Sequence, residues 1–344
     1  MKYRIASAAV AVSAVLSGTA FAQDKTLTIN SFGGAYEQAH RTCVIDPFEK
    51  ETGAKVQIVT AYSADAFAQL RAQKDAPQFD IINFSGGQEI VGAAEGLLSP
   101  IDASKLSNAG DLYDFAKANL AKGEGPAYSI AAIGLVYDSV KSPKAPTGWK
   151  DLLDPALSEH LVLTDISNGY GMLGFLMLNQ SEGGTLDNIQ PGLDAVSKLL
   201  EAGAIVVSTS PEIQQEFAQN DAWIAPYASD YAYTLRKAGL TAKFVQGSEG
   251  TPASFITSNL VANRPNQELA LKFIDISISK AAQECFAEAL RYSPTNSKAE
   301  LSGEVAADVA YGEEGVKGLI RFDPAKIEAN RKAWVEAWNK TIAQ

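Results

Sequence analysis

The chain has 344 residues, of which 46% are hydrophobic and 20% are charged, a composition typical of a globular protein long enough to bury two hydrophobic cores. Its formal net charge is −11. An acidic surface repels nucleic acid and anionic membranes, which excludes both as expected partners.

The N-terminus has the pattern of a secretory signal peptide. A basic start, "MKYR", precedes an apolar and small-residue segment over residues 5–18 and an A-x-A cleavage pattern that ends at Ala22. We therefore expect residues 1–22 to be removed and the mature chain to be exported, most simply to a bacterial periplasm. No later segment reaches about 18 consecutive apolar residues, so no permanent membrane span is predicted.

Beyond the signal peptide, segments typical of strands and of helices alternate. The predicted strands are "LTIN" (27–30), "KVQIVT" (55–60), "FDIINF" (79–84), "IGLVYD" (133–138), "LVLTD" (161–165), "AWIAPYASD" (222–230, running into a loop) and "ASFITSNLVA" (253–262). The predicted helices are "AYEQAHRTCV" (35–44), "DPFEKETG" (46–53), "ADAFAQLRAQ" (64–73), "GWKDLLDPAL" (148–157), "SNGYGMLGFLML" (167–178), "LDAVSKLLEAG" (193–203) and the tail from Pro324. This alternation predicts an α/β protein, and its length favours two lobes.

Local signals refine two of these helices. Pro47 stands in the first turn of its helix, and Gly53 is placed to end that helix in a left-handed conformation. Trp334 and Trp338 are spaced i, i+4 in the C-terminal helix, and we expect this pair to lie in a core or at a lobe-packing edge.

Sequence motifs for catalysis or nucleotide binding are missing. The glycine turn "SFGGAY" (31–36) lacks both the G-x-G-x-x-G pattern and a Walker sequence, and neither a G-x-S-x-G elbow nor H-E-x-x-H occurs. Two cysteines are too few for a cysteine-based metal site, and we expect His40 and His160 to be structural or surface residues. We therefore predict no catalytic residue, no metal and no cofactor.

Five turns that follow strands are small, polar or aromatic. They cover residues 31–36, 83–87, 165–170, 227–230 and 255–259. In open α/β sheets, ligands bind outside the carboxyl ends of strands, so these turns are expected to converge. Together they predict the lining of one cleft, with aromatic side chains for stacking and carboxylates or amides for orientation.

Cys43 and Cys285 are the two cysteines of the chain. An oxidising compartment favours a disulfide between them, whereas two buried free thiols are the alternative.

Several stretches, taken in order, resemble one family. They are "DPFEKETGAKV" (46–56), "FDIINFSGG" with "EGLLSPID" (79–102), "GWKDLLDPAL" (148–157), "RKAG" (236–239) and "RYSPTN" (291–296). In this order the chain resembles the periplasmic solute-binding proteins of bacterial ABC importers, specifically the receptors for spermidine and putrescine. The resemblance covers nearly the whole mature chain.

The resemblance implies a type II periplasmic-binding fold, in which two α/β lobes close on a ligand like a hinged clamp. It places residues 23–137 and 254–304 in lobe 1 and residues 138–253 and 305–344 in lobe 2. Both cysteines then fall in lobe 1, where a bridge is sterically reasonable. The implied partners are a small solute and a membrane permease driven by a cytoplasmic ATPase, and we expect a monomer.

The resemblance also implies ligand-binding residues. In the polyamine receptors, aromatic walls sandwich the methylene chain and acidic residues pair with ammonium groups. Asp165 matches one such acid, Asn168 stands where a glutamate is common, Tyr227 is the nearest substitute for a tryptophan, Asp230 takes the place of a glycine, and Ser258 stands where an aspartate occurs. The other ligand-binding residues that we expect are Phe32, Gly33, Gly34, Tyr36, Phe84, Ser85, Gly86, Ser167 and Phe255.

Each of these assignments has a structural alternative. Asp165 is also placed to cap the following helix, Tyr227 to lie in a lobe core, Asp230 to be an exposed loop acid, and Gly33 and Gly34 to form a purely structural turn.

The reduced number of acids favours an amine-bearing solute, with a zwitterion such as an ω-amino acid as good a candidate as a polyamine. An unpartnered ammonium in a closed cleft costs several kcal/mol, and the helix start at residues 167–170 favours an anion. The alternatives are a receptor for an oxyanion or a ferric complex, and a secreted enzyme on the same scaffold.

Overall fold

The computed structural model describes residues 25–118 and 120–343, so the predicted signal peptide and its cleavage after Ala22 lie outside the described residues. The strands are β1 Thr26–Ser31, β2 Lys55–Thr60, β3 Ile81–Phe84, β4 Ala127–Asp138, β5 Val162–Thr164, β6 Ile205–Val207, β7 Ile224–Ala228, β8 Ala242–Val245, β9 Thr251–Leu260 and β10 Leu319–Ile320. The helices are α1 Gly34–His40, α2 Asp46–Thr52, α3 Ser63–Ala72, α4 Gln88–Ala94, α5 Asp114–Lys117, α6 Pro155–Ser158, α7 Gly169–Ser181, α8 Gln190–Glu201, α9 Ser210–Gln219, α10 Ser229–Lys237, α11 Gln267–Ser277, α12 Lys280–Leu290, α13 Gly303–Asp308, α14 Gly312–Lys317 and α15 Pro324–Ile342.

One mixed sheet runs through the molecule in the order β2-β1-β3-β9-β4-β7, with β10 beside β9 and β8 beside β4. The β1 strand is parallel to β2 and β3, whereas β9 is antiparallel to both β3 and β4. A separate parallel pair joins β5 and β6. The prediction of an α/β protein is confirmed.

The long strand β4 changes partner along its length. Its residues 127–132 pair with β9, and its residues 133–137 pair with β7. Each of its twelve residues is buried. A strand covered on both faces is expected to be a continuous apolar run rather than an alternating one, and "IGLVYD" belongs to such a run.

Apolar side chains form separate cores on the two sides of this change. The first lies within residues 27–131 and 253–292, and we call this part lobe 1. The second lies within residues 133–242 and 327–338, and we call this part lobe 2. The change of partner falls between Ala132 and Ile133, inside β4 rather than at its end; the predicted lobe limits at 137 and 254 stay a prediction.

Two local predictions are confirmed and one is wrong. Gly53 ends α2 with φ 67°, the left-handed conformation that glycine adopts without strain. Trp334 and Trp338 are buried in the core of lobe 2. The loop predicted after Tyr227 is wrong, because α10 begins directly at Ser229.

A disulfide joins Cys43 and Cys285, as predicted. It links the π-helical turn Arg41–Ile45, which continues α1, to α12 within lobe 1. The bridge therefore fixes the helix that follows the glycine turn "SFGGAY". Within the described part of the chain, no helix is long and apolar enough to cross a membrane.

Candidate functional site

Aromatic side chains from both lobes meet between the two cores. We call the following residues the aromatic cluster: Phe32, Tyr36, Tyr62, Tyr170, Tyr227 and Tyr292. The Phe32 and Tyr36 ring centroids are 4.7 Å apart, and the Phe32 and Tyr62 rings are nearly parallel at 6.3 Å. The cluster crosses between lobes where the Tyr170 and Tyr292 hydroxyls are 3.3 Å apart.

The lobe 1 rings are placed by the carboxyl ends of two parallel strands. Phe32 follows β1 and Tyr62 lies just beyond β2, so both are carried to the same edge of the sheet. Gly33 lies between Phe32 and α1 and has φ 76°, and a Cβ there would meet Thr60 Cγ2 at 3.0 Å. The glycine is therefore needed for the backbone to turn closely past β2 and bring Tyr36 into the cluster.

The lobe 2 rings come from a strand end and a helix start. Tyr227 lies near the end of β7, and Tyr170 lies in the first turn of α7. Their rings pack edge to face at 5.5 Å. Tyr227 is buried, as its alternative role in a lobe core required, and its contact with Tyr170 also makes it a member of the cluster.

Asp230 is the acid beside this cluster. It lies in the first turn of α10, and its Oδ1 atom is shielded from solvent and finds no hydrogen-bond partner among the described residues. Burial raises the pKa of its carboxyl to about 7. Burial raises the pKa values of the Tyr170 and Tyr292 hydroxyls, and the charge of Asp230 raises them further. These links place the carboxylate against the tyrosines rather than in an exposed loop.

Asp165, the other predicted acid, is engaged within lobe 2. Its Oδ1 accepts from the Ser167 backbone N–H at 2.8 Å, and its Oδ2 accepts from the Trp338 indole N–H at 2.9 Å. Both oxygens thus stabilise the α7 entry and the packing of α15. This favours the structural alternative for Asp165, and its part in ligand binding stays a prediction.

Two backbone N–H groups at the start of α7 already have a hydrogen-bond partner. Asn168 Oδ1 accepts from the backbone N–H of Tyr170 at 2.9 Å and from that of Gly171. These donors were the ones expected to attract an anion, so the capping side chain weakens that expectation. Ser167 is exposed and bonds Asp165 through its hydroxyl.

The predicted turn after β3 is only partly at the cleft. Ser85 donates its backbone N–H to Ser63 Oγ at 2.9 Å, next to Tyr62, and its carbonyl accepts from Ser254 Oγ. Gly86 is exposed in the same turn. These contacts connect the Tyr62 side of the cleft to β9.

Three predicted ligand residues lie in lobe 1 packing instead. Phe84 is completely buried against Phe67, and Ser258 is completely buried in β9 opposite Asn83. Phe255 is also buried, with the Arg321 guanidinium over its ring. The complete burial of Phe84 and Ser258 favours a packing role in β3 and β9, and their part in ligand binding stays a prediction.

Sequence reasoning missed Tyr62 and Tyr292. Tyr62 follows the predicted strand "KVQIVT", so the rule that selected the other turns could have found it. Tyr292 lies in the stretch 291–296, and only its hydroxyl contact with Tyr170 shows that it belongs to the cluster.

The two histidines are accounted for by packing. His40 is fully buried among aromatic rings, and burial lowers its pKa to about 3. His160 lies at the surface with its ring stacked on Trp223 at 3.5 Å. Among the residues that the structure describes, no group of three or more His, Cys, Asp or Glu is arranged to hold a metal ion.

Known proteins are similar to this chain in sequence and in fold. A family model described as bacterial extracellular solute-binding protein matches residues 44–313. The spermidine/putrescine-binding periplasmic protein of Escherichia coli (strain K12) is 30% identical over 276 residues, covering 77% of this chain and 78% of that protein. The gamma-aminobutyric acid-binding protein of Pseudomonas aeruginosa is 25% identical over 333 residues, covering 94% and 89%.

A solved structure agrees at the level of the whole chain. A crystal structure of an ABC transporter from Clostridium perfringens is 26% identical, has a TM-score of 0.77 and covers 92% of this chain and 99% of its own. The two-lobe fold and the absence of enzymatic activity in this class agree with the predictions made from the sequence. The chain belongs to the bacterial extracellular solute-binding proteins and is the solute-binding component of an ABC transporter.

Proposed function

We propose that the mature protein, released into the periplasm after cleavage at Ala22, captures a small solute through a single ammonium group. The ammonium pairs with Asp230 inside the aromatic cluster, and closure of the lobes removes water from it. The monomeric closed form then delivers the solute to its membrane permease.

The observation that carries this proposal is the unpartnered Oδ1 of Asp230. Shielding a charged carboxylate oxygen from water without a partner is costly, and an ammonium group supplies both the missing charge and the missing N–H donors. Aromatic faces attract the same cation by about 0.5–2 kcal/mol each, depending on desolvation. An anion or a neutral sugar gains neither term.

The acids of the cleft favour one ammonium group over two. Both oxygens of Asp165 are bonded within lobe 2, and Ser258 stands in the buried interior of lobe 1. The second ammonium of a diamine would therefore find no free carboxylate at either of these two positions. The relatives support an amine in general, since one is named for spermidine and putrescine and another for gamma-aminobutyric acid.

The test is calorimetric titration of the mature protein with γ-aminobutyrate, putrescine, spermidine, butyrate and glucose. We expect γ-aminobutyrate to bind and butyrate, which lacks the amine, to fail. Asp230→Asn should lower the affinity for γ-aminobutyrate by about 30-fold or more, because removing one member of a buried charge pair costs at least about 2 kcal/mol.

Asp165→Asn is the matched control, since it removes the same charge from a carboxylate that already has protein partners. It should leave amine affinity within about threefold of the original. Unchanged γ-aminobutyrate affinity in Asp230→Asn, or binding of glucose or butyrate in preference to amines, would overturn the proposal. Stronger binding of the diamine than of γ-aminobutyrate would overturn its restriction to one ammonium group.

A further inference from the structure

Two of the stretches that resemble the solute-binding family, residues 236–239 and 291–296, begin with arginines that play no direct part in the Asp230 site. The structure brings these arginines together. The Arg291 Nε–H donates to Asp308 Oδ2 at 3.2 Å, and the Arg236 guanidinium donates to the same oxygen. We call Arg236, Arg291 and Asp308 the ion cluster.

The ion cluster is withdrawn from solvent. The side chains of Arg291 and Asp308 are 6% and 10% exposed, and that of Arg236 is 24% exposed. The Arg291 guanidinium also lies over the Tyr233 ring, 4.1 Å from its centroid. Because both arginines share one carboxylate oxygen, loss of one arginine still leaves the buried Asp308 paired with the other.

The cluster holds both ends of α10. Arg236 lies in the last turn of α10, and at the first residue the Ser229 hydroxyl donates to the Arg291 carbonyl at 3.2 Å. Ser229 precedes Asp230 directly, and Arg291 precedes Tyr292 directly. The hydrogen bond between Ser229 and Arg291 therefore joins the two residues that directly precede Asp230 and Tyr292.

The same segment is fixed to the strand shared by the two cores. Ser293 exchanges backbone hydrogen bonds with Ile130 of β4, and its hydroxyl accepts from the Ala310 backbone N–H just after α13. Arg291 itself has left-handed backbone angles, φ 59° and ψ 35°, which cost a non-glycine residue about 1 kcal/mol or more. That conformation turns the chain from α12 towards Tyr292.

We propose that the ion cluster is a positioning device for ligand capture: it fixes α10 against the segment 291–293 and so holds Asp230 facing Tyr292 across the lobes. Arg236, Arg291 and Asp308 act through Asp230 and do not touch the solute. This inference rests on the proposed function, in which Asp230 pairs with the ammonium.

The test compares Arg236→Gln with Arg264→Gln. Arg264 is a matched control because it bonds Asp80 at 2.8 Å in lobe 1, and its side chain is 22% exposed. Both substitutions remove an arginine from a mostly buried acid and should lower the melting temperature. Arg236 is the most exposed member of the cluster, and its loss leaves the Arg291–Asp308 pair, so the variant is expected to fold.

Two readouts separate positioning from stability. The first is the pH midpoint at which the Asp230 carboxyl titrates. It is measured from the NMR chemical shift of the carboxyl carbon in ligand-free protein. The groups that interact electrostatically with this carboxyl are the hydroxyls of Tyr170 from α7, Tyr227 from β7, Tyr292 after α12 and Tyr231 of α10 itself. If α10 moves away from the first three, water reaches Asp230 and the midpoint falls, by about one pH unit for a partial gain of solvation.

The second readout is the dissociation constant of γ-aminobutyrate. It should rise about tenfold in Arg236→Gln, as expected for an anchor displaced by a fraction of an ångström, and stay unchanged in Arg264→Gln. Arg236→Lys should recover part of the loss. An unchanged Asp230 midpoint in Arg236→Gln, or an equal shift in Arg264→Gln, would overturn the inference.

The failures of the two proposals are distinguishable. If Asp230→Asn binds γ-aminobutyrate normally, the proposed function is wrong whatever the arginine variants do. If Asp230→Asn loses binding while Arg236→Gln keeps both the original midpoint and the original affinity, the proposed function stands and the positioning role is wrong.

Discussion

The indole N–H of Trp338 donates to Asp165 Oδ2 at 2.9 Å, so the acid that most directly resembled a ligand residue is bonded to the C-terminal helix. Asp230, which took the place of a glycine, instead has a shielded oxygen, Oδ1, with no hydrogen-bond partner among the described residues. The two acids follow neighbouring strands of lobe 2, and they differ in whether the protein supplies their hydrogen-bond partners.

The Trp338 contact predicts that Asp165→Asn destabilises the fold without removing the anchor for an amine. The amide keeps the shape but weakens the bonds to Ser167 and Trp338, and we expect a loss of roughly 1–2 kcal/mol in the free energy of unfolding. Urea denaturation measures this loss. Trp338→Phe, which removes the indole N–H but keeps the Asp165 carboxylate, should cause a loss of similar size. A fully stable Asp165→Asn protein would contradict the packing role of Asp165.

The pKa of Asp230 predicts how affinity for γ-aminobutyrate depends on pH. Only the ionised carboxylate pairs with an ammonium, and its pKa in the empty site is about 7. Affinity should therefore be constant between about pH 8 and 9, where the ligand ammonium is still protonated, and fall by up to about tenfold per pH unit below pH 7. Titration calorimetry at pH 6 in buffers of different ionisation enthalpy should detect a released proton, and buffer-independent heats would argue against this.

The same carboxyl predicts a gain in ligand-free stability for Asp230→Asn. The folded-state pKa of about 7 lies above the unfolded value of 3.8, so stability is lost as pH rises from about 4 to 7. At pH 8 the variant should be more stable than the original protein by on the order of 1–2 kcal/mol, and below pH 4 the difference should vanish. Denaturation at both pH values measures this, and equal stability at pH 8 would contradict it.

His40 predicts the acid limb of the stability profile. Burial lowers its pKa to about 3, below the unfolded value of 6.5, so the unfolded state binds the proton first as pH falls. The free energy of unfolding should decrease below pH 6.5 by up to about 1.4 kcal/mol per pH unit. His40→Phe should flatten this limb, whereas His160→Phe at the surface should not; identical profiles for all three proteins would refute the assignment.

The disulfide predicts that oxidised protein has no thiol that reacts with a thiol reagent. A Cys43→Ala/Cys285→Ala variant should lose about 2–5 kcal/mol of unfolding free energy, because the bridge closes a loop of 242 residues. Amine affinity should fall less than stability does, since the bridge supports α1 rather than Asp230. Two reactive thiols in the unreduced native protein would contradict the bridge.

The alternation of strands and helices was sufficient to predict the α/β architecture, whereas two cysteines behind a predicted signal peptide favoured a bridge but left two free thiols as the alternative. The site was harder to predict, because strand ends give the position of a residue along the chain but not its face. Phe84 and Ser258 lie at the expected strand positions, yet both are completely buried. Asp230 was expected in a loop, since nothing in "YASD" signals that a helix begins at Ser229.

The remaining site residues depended on long-range contacts. The engagement of Asp165 by a tryptophan 173 positions later cannot be read from local sequence. Nor can the meeting of Tyr170 with Tyr292, which are 122 positions apart. Resemblance to polyamine receptors named both Asp165 and Asp230, and only their hydrogen-bond partners in the fold distinguish the two acids.

The change of partner within β4 has a consequence for cooperativity. The same strand completes the sheet of lobe 1 through β9 and that of lobe 2 through β7 and β8. Unfolding of either lobe would leave unpaired backbone N–H and C=O groups along the edge of the other, and such groups are costly when they are buried. We therefore expect the two lobes to unfold as a single cooperative unit.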